Sequence, residues 1–273
     1  MVNCYRKIKK GFEMYVVEKD ALALTNSELK NLMQSLSSDY RPVLLRNGIK
    51  RMSQDQWFVF LNVECAFTVD SRHPVGESSN WKLNDSYKVE HKQWGEISYQ
   101  PDKAISYAFS KTRQPLHTDN AFLKDSPDLN FNIMVKQAVE GGFNTVYPVH
   151  KIINDLRELN PLLLEKLLKN KVKVQKGEGA EANETYILQD VDGGLADWNF
   201  YRTIKDSPLI NSMCEEFFQF LEDSEQAGRV EKVRMETGDC LIWNDKRIFH
   251  GRTAFDADEP FDRVLRQSMW HFV

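Results

Sequence analysis

Two histidines and one aspartate are the residues of this chain best suited to chemistry. His117 and Asp119 stand two positions apart in Pro115-Leu116-His117-Thr118-Asp119-Asn120, and His250 lies far downstream in Asp245-Lys246-Arg247-Ile248-Phe249-His250-Gly251-Arg252. On an extended segment, residues at i and i+2 point to the same side. One short stretch therefore offers an imidazole and a carboxylate together, and a distant strand can add the second imidazole. Such a set can hold an Fe(II) ion on one face and leave the other face open for chemistry. A His-x-Asp alone occurs often by chance, so the surrounding residues must carry the reading.

The elements that position these groups can be read from the local pattern. Gly238-Asp239 supplies turn chemistry. The apolar run 240–243, bounded by turn residues, predicts a buried strand. Asn244-Asp245 turns again, and residues 247–250 begin the next extended piece. A polar, acidic loop over 256–262 then leads into a last strand over 263–270. An arginine at the start of that strand can grip a carboxylate with two hydrogen bonds. Near the start, Thr25-Asn26-Ser27-Glu28 fits a capping box. Leu29, Leu32, Met33 and Leu36 recur at helical spacing, which predicts an amphipathic helix over 25–37. A strand is expected over 41–46, and a second helix from Ser53 with Trp57, Phe58 and Leu61 on its buried face. Residues 71–111 read as loops and short strands. Further strands are expected over 130–138, 144–149, 171–175 and 184–190, and helices over 150–170 and 209–222. Many short strands without regular strand–helix alternation predict a closed or double-sheet β core with helical decoration.

The ordered set of segments resembles the Fe(II)/2-oxoglutarate-dependent dioxygenases, in the branch of taurine dioxygenase, clavaminate synthase and carbapenem synthase. The matching pieces are residues 115–122, Gly141-Gly142-Phe143-Asn144-Thr145, residues 238–252 and Arg263, with residues 41–48 similar to a first core strand. The resemblance implies a mainly β fold with flanking helices around a double-stranded β-helix (jelly-roll) core, clavaminate synthase-like, in a single domain over residues 1–273. It implies that His117, Asp119 and His250 bind iron, with 2-oxoglutarate and O2 as co-substrates. Arg263 would pair with the far carboxylate of 2-oxoglutarate, with Arg266 as the alternative anchor, and Thr145 would add a hydroxyl. The related sequences usually have one residue between the glycine pair and the threonine, whereas this chain has Phe143 and Asn144. Many relatives carry a second arginine four positions after the first, where this chain has Gln267. Asn120, Trp198, Asn199, Arg202 and Gln267 are the candidates for contact with substrate, and Trp81 and Trp94 for a lid.

The implied reaction is oxidation of an unactivated C–H bond of a small molecule, such as an amino acid or natural-product intermediate. Hydroxylation is the first expectation, with desaturation or cyclisation as variants, and succinate and CO2 are released. Related halogenases lack the carboxylate ligand, so Asp119 disfavours halogenation. The alternatives are the same chemistry on a protein side chain or carrier-tethered amino acid, and a metal-binding β-barrel without catalysis.

Composition sets the wider limits. At 273 residues and 41% hydrophobic content, with 16 Phe and 6 Trp, the chain can bury one enlarged core. A formal charge of −4 with no basic block argues against nucleic acid as a partner. Cys4, Cys65, Cys214 and Cys240 show no paired metal spacing, which fits a reduced, cytoplasmic setting. The basic residues 1–10 lack the apolar stretch of a signal peptide, and no segment approaches membrane-spanning length. The sequence leaves the oligomeric state open.

Overall fold

The computed structural model describes residues 15–75, 88–104, 106–177, 179–191 and 193–273; Trp81 lies outside them. The predicted N-terminal caps form. The Thr25 hydroxyl accepts from the Glu28 amide at the start of α1 (Asn26–Ser35), and the Glu28 carboxylate accepts from the Thr25 amide. Two orphan donors of the first helical turn are thereby satisfied. A short helix, α2 (Gly48–Arg51), precedes α3 (Gln54–Val59), where Ser53 and Gln56 repeat the same exchange. The Trp57 indole is fully buried and donates to the Gly48 carbonyl at 3.0 Å. Thr25→Ala is expected to cost about 1 kcal/mol of stability. It should lower the urea midpoint and leave the slope of the transition unchanged.

Two sheets carry the core. The first has seven strands: β1 (Val17–Asp20), β2 (Val43–Arg46), β3 (Thr68–Asp70), β4 (Gly95–Ser98), β6 (Leu129–Lys136), β9 (Cys240–Asn244) and β11 (Val264–His271). Their order is β1-β2-β9-β6-β11-β3, with β4 also paired to β11. The second has β5 (Gln114–His117), β7 (Asn144–Pro148), β8 (Glu231–Val233) and β10 (Ile248–Arg252), in the order β8-β7-β10-β5.

Alternation along the strands assigns each face. On β9, Leu241 and Trp243 join Val146 and Ile248 of the second sheet in one buried cluster, while Cys240 and Ile242 join α1 and α3 in another. The outer face of the small sheet, with Tyr147 and Phe249, packs on α4 (Val149–Leu159), α5 (Pro161–Lys169) and α6 (Pro208–Gln226). The fold is thus mainly β with helices on both outer faces.

The helical stretch over 150–170 divides where Pro161 opens a second segment, as its position in the sequence suggests, and the Asn160 side chain caps α5. Other expected elements differ in their limits. The strand expected over 184–190 splits into Asn183–Tyr186 and Leu188–Gln189. Trp94, expected in a lid, instead packs against Phe131 on the helical side of the large sheet, with ring centroids 6.1 Å apart. Among the described residues, no helix is long and apolar enough to cross a membrane.

Candidate metal centre

Strand pairing brings the two histidines together. β5 and β10 run antiparallel, with His117 directly opposite His250. Directly opposed residues share a face, and the ring centroids lie 4.4 Å apart. Ile248, His250 and Arg252 therefore face the large sheet, and Phe249 and Gly251 face the helices. Gly251 is the close-approach point, since a Cβ there would meet the Gln114 carbonyl oxygen at 2.6 Å and the Thr145 hydroxyl at 2.8 Å.

Asp119 follows β5 and turns back over the pair. Its oxygens lie 3.4 Å from His117 Nε2 and 3.6 Å from His250 Nε2. One ligand atom from each of the three residues lies within 4.8 Å of the others, and no other such group occurs among the described residues. The next residue, Asn120, takes a left-handed φ of 54°. Asparagine is among the residues that tolerate this region best.

Hydrogen bonds orient each of these side chains. His117 Nδ1 donates to the Pro115 carbonyl at 2.9 Å, which leaves the Nε2 lone pair directed at the site. The Gln114 amide donates to that Nε2 at 3.1 Å; a cation would replace this weaker partner. Asp119 Oδ2 accepts from Asn130 at 2.7 Å and from Gln267 at 3.0 Å. Oδ1 is thereby left for a cation, so the carboxylate would bind through one oxygen. Burial pushes His250 below its usual range, with His117 adding to the effect. Its neutral form is the one that offers a lone pair. Burial opposes ionisation of Asp119, but the two histidines hold its carboxyl well below the usual range. Burial, and then the charge of Asp119, push Asp245 well above it, while hydrogen bonds from Trp243, the Asp119 backbone and Asn130 to its oxygens favour the ionised carboxylate.

These residues line a cavity of about 590 Å³. On the same cavity wall, Arg263 is 2% exposed, and its Nε and Nη2 have no hydrogen-bond partner. Burial, and then Arg252 and Arg234, push its guanidinium down to about 9. Arg252 is also buried, and its Nη2 donates to the carbonyls of Tyr107, Ser110 and Thr112 at 3.2, 2.8 and 2.9 Å. The Phe255 ring lies beneath both guanidiniums, at 5.4 Å from Arg263 and 4.9 Å from Arg252. Gly142, with φ of +66°, lets Arg263 Nε approach to 3.1 Å from where a Cβ would stand. A buried guanidinium with unsatisfied N–H groups is costly unless an anion pairs with it. Its planar fork fits a carboxylate.

The other sequence-derived candidates divide. Asn120, Asn199, Arg202 and Gln267 line the cavity. Arg202 donates from Nη1 to the Lys176 carbonyl at 2.5 Å. Asn199 accepts from the Tyr201 amide at 3.2 Å. Gln267 is engaged with Asp119 and Asn130, so its amide supports the carboxylate.

Three candidates are displaced. Trp198 is fully buried against Phe217, in the helix-side core, and only its backbone reaches the site, through Thr118. Arg266 falls on the opposite face of β11 from Gln267 and pairs with Glu96 at 2.8 Å. Thr145 lies opposite Gly251, on the face of β7 turned from the histidines, and Asn144, opposite Arg252, takes the cavity face. Asn144 Nδ2 is buried without a partner. Sequence reasoning passed over Asn144, although only Phe143 separates it from the glycine pair. It also assigned no role to Asp245, Asn130 or Arg252. Buried amides in a strand that otherwise reads as core were the available signal.

No protein-family model matches the chain, and no curated protein matches it. Solved structures do. A variant of the non-heme iron oxygenase OrfP in complex with (3S)-hydroxy-L-Arg is 13% identical, with a TM-score of 0.64 over 93% of this chain and 82% of that one. Asparagine oxygenase in complex with Fe(II), 3-hydroxyasparagine and succinate is 14% identical, with a TM-score of 0.62 over 93% of each chain. PvcB from Pseudomonas aeruginosa is 17% identical, with a TM-score of 0.60 over 94% of this chain and 84% of that one. The likeness is one of fold: this chain has the fold of these proteins.

Proposed function

We propose that the chain is an Fe(II)- and 2-oxoglutarate-dependent oxygenase that hydroxylates a small molecule, an amino acid or natural-product intermediate, with O2 as the second co-substrate. One observation carries the reading. Two imidazole Nε2 atoms and one carboxylate converge in the same cavity as a buried arginine with unpartnered N–H groups. The donor set suits Fe(II), and the guanidinium suits a dicarboxylate co-substrate. The ligands of the similar oxygenases, Fe(II), succinate and hydroxylated arginine or asparagine, support the same reading. On this reading the two sheets form a jelly-roll core.

When bound, iron would supply the redox chemistry that couples O2 and 2-oxoglutarate to C–H oxidation, with release of succinate and CO2. His117, His250 and Asp119 Oδ1 would hold it. Arg263 and the Asn144 amide would bind the far carboxylate of 2-oxoglutarate. Trp243 and Leu265, which line the cavity, would keep water from that pair. Asn120, Asn199 and Arg202 would meet the substrate.

The test is direct. Anaerobic addition of Fe(II) and 2-oxoglutarate should give a weak visible charge-transfer band, and exposure to O2 should release succinate. Absence of both would favour a metal-binding barrel without catalysis. Mass spectrometry of free metabolites and of candidate proteins after reaction separates small-molecule from protein-bound substrates.

The register of β7 makes its own prediction. Asn144→Ala should raise the 2-oxoglutarate KM about tenfold, the cost of one lost hydrogen bond to a charged group. Thr145→Val should change it less than about twofold, because that side chain faces the helices. Comparison of the two KM values decides between the residues.

A further inference from the structure

Asp245 occupies the turn between β9 and β10 and is 3% exposed. Its own backbone is anchored, since its N–H donates to the Asp128 carbonyl at 2.7 Å. Nitrogen donors approach both of its oxygens. The Asp119 backbone N–H donates to Oδ2 at 2.7 Å. The Trp243 indole donates to Oδ1 at 2.9 Å, and the Asn130 amide approaches Oδ1 at 3.5 Å. His250 Nδ1 lies 3.4 Å from the same Oδ1, without the alignment of a hydrogen bond. The Ile248 carbonyl is the other acceptor beside this ring.

We infer that Asp245 is a positioning residue that holds two of the three metal ligands at once, the His250 ring and the Asp119 backbone, and that this position requires a carboxylate. The inference rests on the metal-centre reading and adds a residue to it. The requirement follows from counting acceptors. A carboxylate presents two acceptor oxygens and no donor, while a carboxamide presents one of each. An asparagine would have to turn its NH2 toward the Asp119 N–H or toward the Trp243 and His250 side, and either choice opposes donor to donor. A cation on His250 Nε2 favours the Nδ1–H tautomer, and Asp245 Oδ1 is then placed to accept that proton's hydrogen bond. Carboxylates that contact the second nitrogen of a ligating histidine typically tune metal affinity by 10–100-fold.

The probe is Co(II), read by its visible absorption and by competition with a chelator, on the full chain. Asp245→Asn should bind cobalt at least about tenfold more weakly than wild type. Its far-UV circular dichroism should match wild type. A residue with a structural role alone would lower the thermal midpoint of the apoprotein and leave cobalt affinity unchanged, and that result overturns the inference. If the wild-type chain itself binds no cobalt, the metal-centre reading falls and the inference with it. If both proteins bind equally tightly, the inference alone falls. Should Asp245→Asn not fold, a structure of the zinc-loaded wild type decides. Approach of His250 Nδ1 to Asp245 Oδ1 at about 3.0 Å supports the contact, and an Nδ1 turned to the Ile248 carbonyl alone overturns it.

Discussion

Arg263→Met should raise the 2-oxoglutarate concentration needed for half-maximal turnover by more than about 100-fold, equivalent to roughly 3 kcal/mol, the range found when one partner of a buried charge pair is truncated. The size of the effect follows from burial. The guanidinium is 2% exposed and no protein carboxylate pairs with it among the described residues, so an incoming carboxylate meets a cation already stripped of water. The apoprotein should respond in the opposite sense. Methionine fills similar space without a charge, so removing an unpartnered buried cation should leave thermal stability unchanged or raised. Arg266→Ala is the control. That side chain is 35% exposed and paired with Glu96, so its removal should cost less than about 1 kcal/mol and leave the co-substrate requirement in place. Steady-state KM for 2-oxoglutarate, set beside melting curves of the three proteins, checks both signs. An Arg266→Ala enzyme with the larger KM would show that the wrong arginine has been assigned.

Asp119→Ala should reduce Fe(II) affinity by orders of magnitude and turnover by at least about 1,000-fold. Two neutral imidazoles would remain, and the charge-bearing ligand would be lost. The amide groups of Asn130 and Gln267, which both donate to Asp119 Oδ2, would then face a void. Chloride is the anion expected to occupy it and to restore part of the metal affinity. Equilibrium binding of Co(II) to the variant, with and without chloride, measures both effects. Full turnover by this variant would remove Asp119 from the ligand set.

The parts of the molecule visible in the sequence are those that depend on local pattern. Thr25 with Glu28 and Ser53 with Gln56 announce helix starts because capping is a contact over three residues. His117 and Asp119 stand out because their spacing is short, and His250 because turn and strand signals frame it. The less legible parts depend on strand phase. A shift of one residue moves a side chain to the other face, and that separates Thr145 from Asn144. Trp198 misled for a related reason: it lies between polar neighbours, yet its ring turns into the helix-side core. Asn130 and Asn132 sit in a strand whose first six residues are all buried. Only the fold shows that their amides form a ladder, with Asn132 donating to Asn130 at 2.9 Å and Asn130 to Asp119. Arg252 was equally silent, because its three carbonyl partners lie in an irregular segment that no periodicity describes.

The placement of β5 bears on how the centre would come apart. Among the described residues this four-residue strand is the terminal member of the small sheet, bonded to β10 on one flank, and it carries His117. Edge strands fray at far lower free energy than strands with neighbours on both flanks. Escape of the ion would therefore need only local peeling of this margin, while the helices and the seven-stranded sheet stay intact. Occupancy would in turn clamp the margin shut, by the mass-action coupling of ligand to closed state. A bound cation would then double as a rivet, fastening an edge strand of the small sheet.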